Sequence, residues 1–160
     1  FDKVLGGVSD LMAEALSLTE VQIVIPEKNQ TGFGRIGHLP EALTASDFLS
    51  SIANTFKTPV VRHSALPEKR IHRVAVLGGS GAFAIQDAKA LGADAYISSD
   101  FKYHDFFQGD SNFLLADVGH YESERFTKNA IAQKLREKFP NFAVTLSEIK
   151  TNPVKYYTYG

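Results

Sequence analysis

A histidine and a glutamate, His120 and Glu124, lie four positions apart where a predicted helix begins. One helical turn separates them, so their Cβ atoms should lie about 5–6 Å apart on the same face. An imidazole and a carboxylate placed in this way can bind one divalent cation. Acidic residues in the first turn of a helix are also favoured by the helix dipole without any ligand. The spacing therefore indicates either a metal site or an ordinary helix terminus.

The residues directly before this pair predict where it lies in the fold. The apolar run 113–116 predicts a buried strand. Open α/β sheets bind their ligands at the carboxyl ends of strands, so His120 and Glu124 are expected at the ligand-binding edge. Asp117 could accept a hydrogen bond that orients His120 or its loop. Glu122 is expected to face away from the pair and to interact with the helix terminus.

A second polar segment follows another predicted strand. Asp100, Lys102 and His104 lie within five residues of one another. A carboxylate, an ammonium group and an imidazole can together orient a substrate and transfer a proton. A solvated turn with a salt bridge is the alternative interpretation of these three residues.

A glycine-rich segment follows a third predicted strand. Gly78, Gly79 and Ser80 are predicted to form a turn that opens a helix. Free backbone N–H groups at such a turn can bind an anion. A tight strand-to-helix turn without a ligand is the alternative.

The remaining pattern predicts an α/β fold with a mostly parallel or mixed sheet flanked by helices. Three strand–loop–helix units in series favour parallel strands, and their continuous apolar strands favour burial on both faces. Thr44 is a predicted helix N-cap. The predicted helices are 3–17, 44–56, 83–91, 102–107 and 120–139, and the predicted strands are 21–25, 59–63, 74–77, 95–97, 113–116, 142–146 and 154–157, with 32–37 either a strand or an extended loop.

The composition restricts the class of protein. The 160 residues are 44% apolar and 22% charged, with a formal net charge of −1. These values are typical of one globular domain and do not favour nucleic-acid binding. There is no apolar run of the roughly 18 residues that a membrane span needs. There is no cysteine, which leaves His, Asp and Glu as metal ligands. No secretory signal is visible, so we expect a cytoplasmic protein.

Three motifs carry a resemblance to a known family. They are Val-Leu-Gly-Gly-Ser-Gly at 76–81, Ser-Asp-Phe-Lys-Tyr-His at 99–104 and Gly-His-Tyr-Glu-Ser-Glu at 119–124. In this order they resemble the dinuclear-metal-centre proteins of the YbgI type, also called the NGG-one-interacting factor three family. The resemblance covers essentially the whole chain. It implies that residues 1–160 form a single α/β domain, the carboxyl-terminal portion of a longer protein and half of an intertwined two-repeat fold.

The same resemblance implies a metal centre. His120 and Glu124 would be metal ligands, and Asp2 would bridge two divalent ions, which could be Zn, Fe, Mn, Co or Ni. A His pair that completes the site in family members has no counterpart in this chain. The segment that contains Asp100 and His104 would lie near the metal cleft, with one of them as the acid or base.

The resemblance further implies a function and an assembly. The expected protein is a homo-hexamer that acts as a metal-dependent hydrolase or cyclohydrolase, of GTP cyclohydrolase type, on a nucleotide or heterocyclic small molecule. The alternative is a non-catalytic, oligomeric metal-binding scaffold or interaction protein. A pocket in which Gly79, His104 and the metal ligands converge would favour the enzyme.

Overall fold

One mixed sheet organises the computed structural model, which describes residues 1–157. Its strands are β1 (Thr19–Pro26), β2 (Gly32–Leu43), β3 (Arg62–His63), β4 (Ile71–Ser80), β5 (Ala95–Ser99) and β6 (Leu114–Asp117). Their order in the sheet is β1-β2-β4-β5-β6-β3. The central strands β4, β5 and β6 are parallel, whereas the pairs β1–β2, β2–β4 and β3–β6 are antiparallel. The predicted α/β fold with a mixed sheet is therefore confirmed.

Helices cover both faces of this sheet. The α-helices of the described residues are α1 (Val8–Ala15), α2 (Ala45–Phe56), α3 (Ile85–Ala90), α4 (His120–Glu124) and α5 (Thr127–Lys138). Short 3-10 helices occur at Lys28–Gln30, Ala82–Ala84 and Tyr103–Gln108. None of the helices within residues 1–157 is both long enough and apolar enough to span a membrane.

The three parallel strands contribute to two separate apolar clusters, one on each face. Their side chains alternate between the faces, as the pleat of a strand requires. One cluster packs against α1 and α2 and contains Val74, Val76, Ala95, Ile97, Leu114 and Ala116. The other packs against α3 and contains Ala75, Leu77, Tyr96 and Leu115. Burial on both faces explains why these strands are continuously apolar in sequence.

Helix α2 confirms the prediction made from its cap. The Thr44 hydroxyl accepts a hydrogen bond from the Asp47 N–H at 3.2 Å, which satisfies one of the free donors of the first turn. Phe48, Ile52 and Phe56 lie on one stripe of this helix, and all three are fully buried. The cap and the apolar stripe thus fix both the start and the orientation of α2.

Three predicted elements differ in the structure. Helix α1 begins at Val8 rather than near residue 3, after Gly6 adopts a φ of +70°. Strand β4 continues through the glycines to Ser80 instead of ending at Leu77. The single helix predicted over 120–139 is divided into α4 and α5.

The two strands predicted near the carboxyl terminus are wrong. Residues 142–146 and 154–157 form no strand. The short strand β3 pairs with β6 and occupies that edge of the sheet. Part of the segment that follows α5, residues 139–157 (the terminal segment), contacts α5 instead. Arg136 donates to the Val144 carbonyl at 2.9 Å, and Lys128 donates to the Ser147 carbonyl at 3.1 Å. The aromatic and β-branched residues here therefore belong to a segment without regular secondary structure, part of which lies beside α5.

The outer strand β1 is irregular at both ends. Its register against β2 shifts between Thr19 and Gln22. Glu20, inside this irregularity, has a φ of +51°. Pro26 ends the strand.

Candidate functional site

The candidate site lies at the carboxyl ends of the parallel strands. Gly79 is in the last residues of β4, Asp100 directly follows β5, and His120 begins α4 three positions after the end of β6. Parallel neighbours place these ends at one edge of the sheet. The structure thus brings together three segments that are far apart in sequence, as the strand–loop–helix pattern predicted.

His120 is held between two carboxylates. Its Nδ1 lies 2.7 Å from Asp100 Oδ2, and its Nε2 lies 3.4 Å from Glu124 Oε1. In the neutral imidazole, a proton on Nδ1 donated to Asp100 leaves the Nε2 lone pair directed toward Glu124. A carboxylate that accepts the second ring N–H in this way orients many metal-binding histidines.

The distance between His120 Nε2 and Glu124 Oε1 fits a shared cation. Two ligands about 2.1 Å from a tetrahedral ion lie about 3.4 Å apart. The observed separation of His120 Nε2 and Glu124 Oε1 is 3.4 Å. The residues present therefore suit a divalent metal, with one nitrogen and one oxygen ligand from a single helical turn.

The electrostatics around His120 favour its cationic form. The hydrogen bond to Asp100 is the main cause that raises the pKa of His120, and the negative charges of Glu124, Asp100 and Asp2 add to it against the opposing effect of burial. Asp2 is thus near enough for its charge to act on His120. A metal ion and a proton compete for the same nitrogen.

Gly79 provides the space for this pair. It has a φ of +72°, and a Cβ at this position would lie 2.7 Å from Glu124 Oε1 and 3.5 Å from His120 Nε2. Its N–H donates to Ser123 Oγ at 2.9 Å, and that hydroxyl donates to the His120 carbonyl at 2.8 Å. The glycine backbone therefore fixes the first turn of α4.

The predicted turn at Gly78, Gly79 and Ser80 is not observed. These residues belong to β4, and the Gly79 carbonyl accepts hydrogen bonds from the hydroxyls of β5. Gly78 packs against Val8 of α1, where a Cβ would collide with the valine side chain. The Gly79 N–H is already bonded to Ser123. Helix α3 begins only at Ile85, so an anion role for the glycine segment remains a prediction that this geometry does not support.

Asp117 and Glu122 have different roles. Asp117 accepts from the Gly119 N–H at 3.0 Å, the Phe101 N–H at 3.2 Å and the Arg62 guanidinium at 3.1 Å. It therefore fixes the loops that carry Asp100 and His120. Burial raises the pKa of Asp117 despite these bonds. Glu122 lines the same cavity as His120 and Glu124 and accepts a hydrogen bond from the Asn152 amide at 2.9 Å rather than from the helix terminus.

Three other predicted residues lie outside this arrangement. His104 packs its ring against Tyr103, with centroids 5.2 Å apart, and against Phe107 at 6.3 Å. Lys102 is exposed. Among residues 1–157, no three His, Asp or Glu side chains form a metal-binding cluster. Asp2 therefore does not complete a three-ligand group with His120 and Glu124 here, and its ligand role remains a prediction.

A cavity of about 800 Å³ adjoins the His120 pair. Asp100, His120 and Glu124 line one part of it, and the remaining wall includes residues of β3, α4, α5 and the terminal segment. Its size is within the range of small-molecule sites. His104 is not among its lining residues, so the structure does not bring His104 and the metal pair into one pocket.

The sequence did not identify three residues of this cavity wall. They are Arg62, Asn152 and Tyr156. Burial, followed by the charges of Glu122 and Asp117, raises the pKa of Tyr156. The pairing of Arg62 with Asp117 across β3 and β6 was a possible sequence signal, because opposite charges on paired strands attract.

Fold and site together define an α/β protein with a histidine–carboxylate pair beside a cavity at the carboxyl edge of its sheet. The model of the Duf34/NIF3 (NGG1p interacting factor 3) family matches residues 1–153. The chain belongs to this family.

Curated relatives share much of the sequence. A Nostoc protein named GTP cyclohydrolase 1 type 2 homolog is 37% identical over 139 residues, which are 85% of this chain and 53% of the relative. A protein of the same name from Staphylococcus epidermidis is 33% identical over 84% of this chain and 38% of its own length. The chain thus spans about half or less of these relatives.

Solved structures share the fold. A Staphylococcus aureus protein described as hypothetical has a TM-score of 0.88 at 24% identity, over 98% of this chain and 66% of that protein. A Bacillus cereus protein related to NIF3 has a TM-score of 0.86 at 20% identity, over 98% and 71% respectively. At these identities the likeness concerns the fold.

Proposed function

We propose that this chain binds a divalent metal through His120 and Glu124 and contributes that metal to a hydrolase that acts on a nucleotide or heterocyclic small molecule. The observation that carries the proposal is the orientation of His120 by Asp100 beside the large cavity. The family resemblance would make Asp2 a further metal ligand, and its negative charge acts on His120.

The metal would supply the hydrolytic chemistry. A divalent ion lowers the pKa of bound water and polarises an attacked carbonyl or phosphoryl group. Nitrogen and oxygen ligands without cysteine suit Zn, Fe, Mn, Co or Ni. The names of the Nostoc and Staphylococcus epidermidis relatives, GTP cyclohydrolase 1 type 2 homologs, support a purine-type substrate.

The side chains around this centre position His120 and the loops that carry it. Asp100 Oδ2 lies 2.7 Å from His120 Nδ1, and in the tautomer with Nδ1 protonated it accepts this N–H as a hydrogen bond. We therefore propose Asp100 as a positioning residue rather than as the acid or base. Asp117 holds the two loops that carry Asp100 and His120. His104 as the acid or base stays a prediction, since its ring packs on Tyr103 and Phe107.

Neither Gly79 nor His104 lines the cavity, so the convergence expected of an enzyme is not observed. We favour a catalyst over a metal-binding scaffold on the concave space beside His120 and Glu124 alone. A scaffold needs no concave space beside its metal, whereas a hydrolase must enclose a substrate. Half of the His120 side-chain surface is exposed, at 52%, and this exposure leaves the pair accessible from the cavity. We therefore place the substrate between α4, α5 and the terminal segment.

The proposal is tested by metal content and turnover in the intact protein. His120→Ala and Glu124→Gln should each abolish the metal that elemental analysis finds after chelation and reloading with Mn²⁺, Zn²⁺ or Fe²⁺. Glu137→Gln is the matched control, because Glu137 is an exposed carboxylate on α5 that contacts Gln133.

Turnover is then measured on a panel of nucleotides and heterocycles. Metal-dependent turnover by the wild type and the control, and none by the two site variants, is expected. Full metal content in either site variant would contradict the ligand assignment. Stoichiometric metal without turnover on any substrate would favour the scaffold.

A further inference from the structure

A second pocket, of about 180 Å³, lies where the end of α2 meets the junction of α4 and α5. A water molecule occupies about 30 Å³ in the liquid, so this pocket has room for a tetrahedral oxyanion. Three cationic side chains line it and no carboxylate does. Its cationic and polar lining residues are Lys57, Arg125, Lys128, Thr55, Tyr121 and Asn129.

The three cations are not neutralised by acidic partners. Among residues 1–157 none of them forms an ion pair. Arg125 donates to the Phe56 carbonyl at 3.0 Å, and Lys128 donates to the Ser147 carbonyl at 3.1 Å. These acceptors are carbonyl groups, so among the described residues no carboxylate is paired with any of the three side chains. By contrast, Lys69 and Lys89 each pair with a carboxylate elsewhere on the surface.

Helix-terminal electrostatics explain only part of this cluster. Lys57 and Arg125 lie at the carboxyl end of α2, where the helix dipole favours cations. Lys128 lies in the first turn of α5, where the dipole disfavours a cation. That turn has no acidic residue, and its N-cap, Phe126, provides no side-chain hydrogen bond. The amino-terminal end of this twelve-residue helix therefore adds positive potential to the pocket.

We propose that this pocket binds a phosphate-type oxyanion. Ammonium and guanidinium groups form strong charge-assisted hydrogen bonds with phosphate oxygens, and the hydroxyl and amide groups of the lining can complete them. Tyr121, Arg125 and Lys128 line both this pocket and the large cavity. A phosphate group bound here can therefore belong to a free oxyanion or to a larger molecule whose body occupies the cavity. The pocket itself contains no predicted metal ligand, so the proposal does not depend on the metal centre.

Phosphate binding is tested by calorimetric titration of the intact protein with inorganic phosphate at an ionic strength of about 0.15 M, where the Debye length is about 8 Å. The double variant Lys57→Gln/Lys128→Gln should weaken binding by roughly tenfold or more, since each lost charge-assisted bond contributes strongly to affinity. Lys134→Gln/Lys138→Gln is the matched control, because it removes the same amount of charge from α5, the helix of Lys128, at positions outside the pocket. The control should change affinity by less than about twofold, because exposed charges away from the ligand are largely screened.

A second measurement does not depend on the variants. In the wild-type protein, phosphate should shift the backbone amide resonances of residues 55–57 and 125–129. Equal weakening in the two double variants, shifts confined to other residues, or no saturable binding would each overturn the proposal.

The two sources of the oxyanion are distinguished with a purine nucleoside monophosphate and its nucleoside. Tighter binding of the nucleotide than of phosphate, with the same dependence on the two lysines, assigns the pocket to the phosphate of a larger ligand. Equal affinities assign it to a free oxyanion. Nucleotide binding that is unaffected in Lys57→Gln/Lys128→Gln would contradict both forms.

Discussion

Replacing Gly79 by alanine tests whether the absence of a side chain at this position is needed for the arrangement of His120 and Glu124. A non-glycine residue at the observed φ of +72° costs about 1–2 kcal/mol. The added Cβ would also lie 2.7 Å from Glu124 Oε1. A carboxylate at the end of a flexible side chain turns away more easily than the backbone moves. We therefore expect a modest loss of stability and a large displacement of Glu124.

The two effects are measured separately. Strain of about 1–2 kcal/mol should lower the unfolding temperature of the metal-free protein by about 2–8 °C for a domain of this size. Displacement of Glu124 should weaken Zn²⁺ or Mn²⁺ binding by at least the roughly 10–100-fold that loss of a supporting partner costs. Affinity is determined by competition with a chelator of known strength.

Gly92→Ala is the matched control. Gly92 has a φ of +76°, and a Cβ there would meet no atom within 4 Å. It therefore imposes the same backbone strain without touching the site. We expect a similar fall in unfolding temperature and unchanged metal affinity. If Gly79→Ala also leaves metal affinity unchanged, or if both variants lower it equally, the proposed contact between Gly79 and the pair has no functional effect.

Two further predictions concern His120. Asp100→Asn removes the charged acceptor of the Nδ1 hydrogen bond, so the pKa of His120 should fall toward its ordinary value and Zn²⁺ affinity should fall by roughly 10–100-fold. The pKa is followed by NMR titration. An unchanged titration would show that the contact is not maintained in solution. In metal-free protein the raised pKa of His120 makes its protonated form stabilising. The stability advantage of wild type over His120→Gln should therefore be full at pH values below 6.5, the ordinary pKa of histidine. It should disappear as pH rises through the raised pKa of His120. Denaturant unfolding across this pH range checks the sign, and an advantage that grows with pH would contradict it.

The sequence predicted the parts of the fold that depend on local pattern. Continuous apolar runs predicted β4, β5 and β6 because both faces of these strands are buried. The cap at Thr44 predicted α2 because its side-chain hydrogen bond is formed within four residues. Gly78 and Gly79 were misassigned because a glycine pair suits both a turn and a kinked strand. The deciding interactions are hydroxyl bonds from the neighbouring strand β5.

In the candidate site, too, local contacts could be predicted from the sequence and long-range contacts could not. The pairing of His120 and Glu124 follows from helical spacing, so the sequence could show it. The contact of His120 with Asp100 joins residues twenty positions apart, and no local window contains both. Lys57 and Arg125 of the cationic pocket are even more distant in sequence, and the packing of α2 against the α4–α5 junction brings them together.

The irregular outer strand β1 lowers the tendency of this sheet edge to pair with other chains. A regular edge strand offers unpaired backbone groups on which another chain can extend the sheet, and such growth begins many fibrous aggregates. In β1 the shifted register near Glu20 interrupts this row of groups, and Pro26 lacks an N–H at the other end. The edge of β1 is therefore a poor template for ordered aggregation, although the strand carries Val21 and Ile23.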